Sequence, residues 1–64
     1  MKQNNFFNLM NQCVQEQKSL WRIENHYIKE SETDEERTFW EDLKKTKEKH
    51  INDLLQLTKK NCEL

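Results

Sequence analysis

The sequence predicts an all-α protein, an antiparallel hairpin of two long helices. The 64 residues include no glycine and no proline, and 36% of them are charged, a composition typical of helices. Apolar residues also recur at seven-residue spacing before one polar stretch, residues 30–36, and form two apolar blocks after it. We therefore predict helices over about residues 4–30 and 34–61, in a single domain that covers residues 1–64.

The polar stretch is predicted to contain the start of the second helix. Thr33 and Glu36 have the spacing of a capping box. In that motif the threonine hydroxyl accepts from the N–H of Glu36, and the Glu36 carboxylate accepts from the N–H of Thr33. Asp34 and Glu35 add negative charge at the positive end of the helix dipole. A helix therefore begins near Asp34.

The end of the first helix has no glycine to reverse the chain. We expect Ser31 or Glu32 to make the reversal, at some cost in backbone energy. The alternative is one continuous helix of about 60 residues, which the capping box and the weak helix formers Ser31, Thr33 and Asp34 argue against. The hairpin is the favoured arrangement.

The first helix carries a wide apolar stripe. Three rows with a seven-residue repeat form it: Phe7, Val14, Trp21 and Ile28; Phe6, Cys13, Leu20 and Tyr27; Met10, Gln17 and Glu24. Leu9 and Ile23 lie beside these rows and widen the stripe. A stripe this wide needs more than one neighbouring helix, because a single neighbour covers only part of it.

Self-association follows from the width of the stripe and the short chain. Chains of this length rarely stabilise a core alone. We expect a homo-oligomer, with a dimer favoured, in which two hairpins form a four-helix bundle with closed two-fold symmetry. The alternative partner is a helix of another protein. The expected interface residues are Phe6, Phe7, Met10, Val14, Trp21, Trp40, Leu43, Ile51, Leu54 and Leu57.

A polar layer interrupts both stripes at one height. If the chain reverses near residue 32, Gln17 lies level with the second helix at Thr46, Lys47 and His50, with Glu16 at the edge of the layer. The first interpretation is structural, since polar groups in an apolar stripe select helix register and oligomeric state at a cost in stability. The second interpretation is a metal site.

The metal hypothesis rests on a resemblance to a known family. The long hairpin, the inward aromatic residues and the stretch 47–51 make the chain similar to the ferritin-like group, which includes rubrerythrins and short encapsulated ferritins. The resemblance implies iron or zinc held by His50, with Glu16 and Glu24 as imperfect substitutes for the missing glutamates. Lys47 stands where the family motif has a glutamate, so we expect no cofactor.

Other functions have less support. The two cysteines do not predict a disulfide, because Cys13 and Cys62 should lie about 15 Å apart along the hairpin. No histidine is expected near either thiol, so we predict a non-enzymatic protein. The net charge is −1 and the basic run 44–49 is interrupted by Glu48, so nucleic acid is not the favoured partner. A small nucleic-acid-binding hairpin dimer is the second alternative, because RNA-binding hairpin dimers have similar size. We expect no membrane partner and a cytoplasmic location.

Overall fold

The protein is a two-helix antiparallel hairpin, as the sequence predicts. A computed structural model describes the backbone of residues 3–62 and the side chains of residues 4–61. Helix α1 is Gln3–Arg22, a π-helical turn follows at Ile23–Tyr27, and helix α2 is Asp34–Cys62. The molecule measures 49 × 14 × 12 Å along its principal axes. The all-α hairpin is confirmed, and the continuous-helix alternative is wrong.

The predicted capping box is present at the start of α2. The Glu36 N–H donates to Thr33 Oγ1 at 3.1 Å. The Glu36 carboxylate oxygen Oε1 accepts from two backbone N–H groups, that of Thr33 at 3.3 Å and that of Glu32 at 2.9 Å. These bonds satisfy N–H groups that would otherwise lack partners at the start of α2, so the helix has a defined first residue.

The chain reversal differs from the expectation of a strained backbone. No residue of the described range 3–62 has a positive φ angle. Instead, Ser31 makes two hydrogen bonds at the end of the first helical segment, residues 3–27. Its Oγ donates to the Tyr27 carbonyl at 2.8 Å, and its N–H donates to the Ile28 carbonyl at 3.3 Å. The serine hydroxyl thus donates to a carbonyl that would lack a partner at the end of the helix. The chain reverses without any residue in the left-handed region.

The π-helical turn changes which side chains face α2. The Ile28 N–H donates to the Ile23 carbonyl at 3.0 Å, a bond between residues i and i+5. The side-chain amide of Asn25 donates to the Trp21 carbonyl at 2.9 Å. Because one extra residue is accommodated in the turn, Ile28 follows Ile23 on the inner side, and a regular α-helix would have placed Tyr27 there.

The core of the hairpin follows one seven-residue series that runs along α1 to the first residue of the π-helical turn, and we name it the inner seam. Its members are Phe6, Leu9, Cys13, Glu16, Leu20 and Ile23. Ile23 is 1% exposed and Cys13 7%, and Ile51 of α2 is 9% exposed. The sequence had placed Leu9 and Ile23 at the margin of the stripe. The structure corrects this, since Ile23 is the most buried of the described side chains.

Two further predictions concern the cysteines and the membrane. Cys13 is a free, buried thiol in the inner seam. The side chain of Cys62 lies outside the described residues, and so does the prediction about it. Within residues 3–62, neither helix combines the length and the apolar character that crossing a membrane requires.

Candidate functional site

A second seven-residue series lies beside the inner seam and is exposed. We name it the outer seam: Phe7, Met10, Val14, Gln17 and Trp21. The exposed fractions are 57% for Phe7, 43% for Met10, 44% for Val14 and 57% for Trp21. Each residue is offset by one position from a member of the inner seam, about 100° around the helix, so α2 covers one seam and leaves the other uncovered.

The outer seam has the chemistry of a helix-packing surface. None of its five side chains is charged, whereas α2 is rich in charged residues. Phe7, Met10 and Val14 line a shallow depression of about 370 Å³. Trp21 makes an edge contact with His26, with ring centroids 5.2 Å apart. An apolar patch of this length on a small monomer is a typical site of association.

The other residues predicted at the oligomer interface lie elsewhere on the hairpin. Ile51 is buried between the two helices of one chain. Leu57 is 46% exposed but belongs to a different groove of the hairpin from the outer seam. The remaining four are half-buried along the contact between α1 and α2: Phe6, Trp40, Leu43 and Leu54. Of the ten predicted residues, the outer seam therefore contains Phe7, Met10, Val14 and Trp21.

An ion pair joins the two helices near the middle of the hairpin. Lys47 Nζ lies 2.9 Å from Glu16 Oε2, and the two side chains are 21% and 15% exposed. The other carboxylate oxygen, Oε1, accepts from the side-chain amide of Gln12 at 2.9 Å. Oε2 is screened from solvent. A charged group therefore occupies one position of the otherwise apolar inner seam, opposite a cation on α2.

The surroundings of Glu16 favour its charged form. The hydrogen bond from the Lys47 ammonium lowers the pKa of the Glu16 carboxyl below its ordinary value of 4.5. Burial acts in the opposite direction, and the hydrogen bond from Gln12 and the charges of Lys47 and His50 lower the pKa further. The net direction is downward, so Glu16 is ionised at neutral pH and holds Lys47 at the contact between the helices.

The predicted polar layer has a different membership in the structure. Gln17 is exposed on the outer seam, and Glu16 takes the place opposite Lys47. Thr46 is exposed, and its Oγ1 donates to the Asp42 carbonyl of its own helix at 3.2 Å. His50 is exposed as well. Glu16 could have been found from the sequence, because it continues the series through Phe6, Leu9, Cys13 and Leu20.

The metal-ligand candidates are divided between two grooves. Glu16 and His50 line a groove of about 300 Å³ together with Asp53 and Leu57. Glu24 lines a different groove, nearer the turn, with Glu41 and Lys44. Among the described residues, no group of three or more His, Cys, Asp or Glu side chains could hold a metal ion. The carboxylate of Glu16 is already paired with Lys47.

Comparison of the chain with protein-family models, with curated proteins and with solved structures found no match. The resemblance to the ferritin-like group therefore stays a prediction from the sequence. Two features of the hairpin bear on its function: the exposed outer seam, and the ion pair between Glu16 and Lys47.

Proposed function

We propose that this chain is a non-enzymatic helical hairpin that associates with itself, two copies forming a four-helix bundle with two-fold symmetry. The observation that carries the proposal is the outer seam, an uncharged seven-residue series whose four apolar side chains are 43–57% exposed. In this proposal a second copy covers the seam. The biological role is then structural or one of protein interaction, through the assembled bundle.

The small core of the single hairpin supports the proposal. Among the described side chains, the buried apolar residues are Cys13, Ile23 and Ile51. Burial of a large aliphatic side chain contributes about 1.5–3 kcal/mol, whereas ordering the backbone costs about 1–2 kcal/mol per residue. A core of this size leaves a 64-residue chain marginal by itself. Covering the outer seam adds the apolar burial that the monomer lacks.

The proposal is tested by the coupling of helicity to association. The mass of the wild-type chain is measured by light scattering after size exclusion, and its helicity by circular dichroism over a series of concentrations. Phe7→Glu places a carboxylate in the outer seam and should give monomers of much lower helicity, because association stabilises the folded state. Metal analysis of the eluted peak tests the ferritin-like alternative in the same run.

Phe39→Glu is the matched control, since Phe39 is 59% exposed against 57% for Phe7 and lies outside the outer seam. It should leave mass and helicity close to those of the wild type. If both variants lose association equally, a new charge at any exposed aromatic position is enough to cause the loss. That result would contradict the proposal. A wild-type chain that remains monomeric and fully helical at every concentration would also overturn it.

A further inference from the structure

We infer that the second copy runs in the opposite direction, with α1 of one chain packed along α1 of the other and Val14 at the two-fold axis. The inference rests on the proposed self-association and names its partner surface: outer seam against outer seam. The alternative is same-direction packing, in which both turns lie at one end of the bundle. Three features of the chain favour opposite directions.

The first feature is the charge of the turn. Residues 30–36 contain five acidic side chains and no basic one. Same-direction packing brings two such turns to the same end, where like charges repel within the screening length of about 10 Å at 0.1 M salt. Opposite-direction packing separates them along a molecule whose long axis measures 49 Å. It also opposes the dipoles of the two copies of α1.

The second feature is the spacing of large and small side chains along the outer seam. Val14 lies midway between Phe7 and Trp21. With Val14 at the axis, each Phe7 is level with Trp21 of the second copy, and Met10 is within about 1.5 Å of the level of Gln17. Same-direction packing instead sets Trp21 level with Trp21 and Gln17 level with Gln17.

The third feature is the charge on the face of α2 beside the outer seam. In the opposite-direction orientation, acidic residues of one copy lie opposite basic residues of the other. Glu24 continues the series of the outer seam, and it shares a groove with Glu41 and Lys45, so this face of α2 lies on the same side of the hairpin. Lys59 is about five helical turns after Glu41 and shares its face. Both side chains are exposed.

The levels of the two helices place these charges opposite one another. Contacts between Glu16 and Lys47 and between Tyr27 and Trp40 set Val14 near the height of Ile51. An axis at that height brings Glu41 within about 3 Å of the level of Lys59 of the second copy. Within one chain the same two residues are about 27 Å apart along the helix. Energetic coupling between them therefore reports on the dimer alone.

Cysteine cross-linking tests the direction of packing. In a Cys13→Ala, Cys62→Ser background, Met10→Cys and Gln17→Cys chains are oxidised separately and as a mixture. The inference predicts a disulfide-linked dimer only in the mixture, since these positions face each other between chains running in opposite directions. Val14→Cys should cross-link with itself and shows that the outer seam is at the interface.

The outcomes separate the two proposals. Cross-linking of Met10→Cys alone and Gln17→Cys alone, with a dimeric wild type, contradicts the opposite direction and leaves self-association intact. A dimeric wild type in which none of the α1 cysteines cross-links places the interface elsewhere and overturns the inference. A monomeric wild type overturns both.

A charge reversal provides a second test that keeps the native cysteines. Glu41→Lys should weaken dimerisation about fivefold or more, because two exposed attractive pairs become repulsive. Adding Lys59→Glu in the same chain should restore most of the affinity, and 0.5 M salt should reduce both effects. The matched control is Asp42→Lys, which changes the net charge equally and should not be rescued by Lys59→Glu, since the exposed Asp42 is about 100° around the helix from Glu41. Equal behaviour of the Glu41 and Asp42 variants contradicts the inference.

Discussion

Lys47 of α2 places its ammonium 2.9 Å from Oε2 of Glu16 on α1, at mid-height of the hairpin. Ion pairs on protein surfaces contribute little, about 0–1 kcal/mol, because solvent screens both charges. This pair is more enclosed, with side chains 21% and 15% exposed. Removing one partner leaves the other charge partly desolvated and uncompensated, which costs more than the intact pair contributes. The pair therefore matters most for which face of α1 packs on α2.

Stability should depend on pH through Glu16. Its folded-state pKa lies below the ordinary 4.5, so the unfolded chain binds the proton more readily. The stabilising contribution is complete above about pH 4.5 and is lost as pH falls through the folded-state value. Chemical denaturation at pH 7 and pH 3 checks this against Glu16→Gln. The difference in unfolding free energy between wild type and variant should shrink at pH 3; a constant difference contradicts the assignment.

Removal of the α2 cap should lower stability by a measurable amount. Thr33→Ala deletes the hydroxyl that accepts from the Glu36 N–H, and loss of such a cap costs about 1 kcal/mol. In a domain of this size the melting temperature should fall by about 4–8 °C. Thr38→Ala, an exposed position inside α2, is the control and should change the melting temperature little. A matching fall in both variants would count against the capping role.

The hairpin could be predicted because its signals are local. The capping box needs only Thr33 and Glu36 at a fixed spacing, and the structure contains both of its hydrogen bonds. The start of α2 at Asp34 follows from the same motif. The end of the first helical segment, after the π-helical turn, was less predictable, since the Ser31 side chain closes it by donating to the Tyr27 carbonyl, and no glycine marks it in the sequence.

The inner face of α1 could not be chosen from its own sequence. Two seven-residue series lie one position apart, and the outer one, through Phe7 and Trp21, is the more aromatic. The choice depends on α2, where Lys47 faces inward and needs an anion, which the inner seam offers in Glu16. The π-helical turn at Ile23–Tyr27 could not be predicted from the sequence either, because it depends on the packing of Ile23 and Ile28 against α2 rather than on a local motif.

A metal response should appear after one substitution near His50. Lys47→Glu restores the Glu-x-x-His spacing and removes the cation paired with Glu16. Without metal the variant should be less stable than wild type, since two carboxylates then share the contact. Saturating Zn²⁺ at 100 times its dissociation constant should raise its stability by about 2.7 kcal/mol. Adding His50→Ala should abolish the response, measured as melting temperature, and a comparable Zn²⁺ effect in wild type would contradict the prediction.

Replacing both residues of the ion pair should stabilise the fold and make its helix packing and oligomeric state less specific. In Glu16→Leu with Lys47→Leu, the inner seam becomes entirely apolar, and each buried leucine contributes on the order of 1–2 kcal/mol. The melting temperature should rise. The ion pair between the helices is then gone, so the energetic preference that keeps the outer seam away from α2 weakens, and the population should spread over several oligomers.

The informative comparison is Gln17→Leu with Lys47→Leu, which also introduces two leucines, one of them at the exposed position 17, and leaves Glu16 without its cation. Because an unpaired, largely buried carboxylate is costly, this variant should melt below the wild type at pH 7. The deficit should narrow as Glu16 is protonated at low pH. Melting curves and size exclusion with light scattering measure both effects. If the Glu16→Leu, Lys47→Leu chain instead loses stability and keeps a single oligomer, the pair is a net stabilising contact, and its role in selecting the packed face of α1 is wrong.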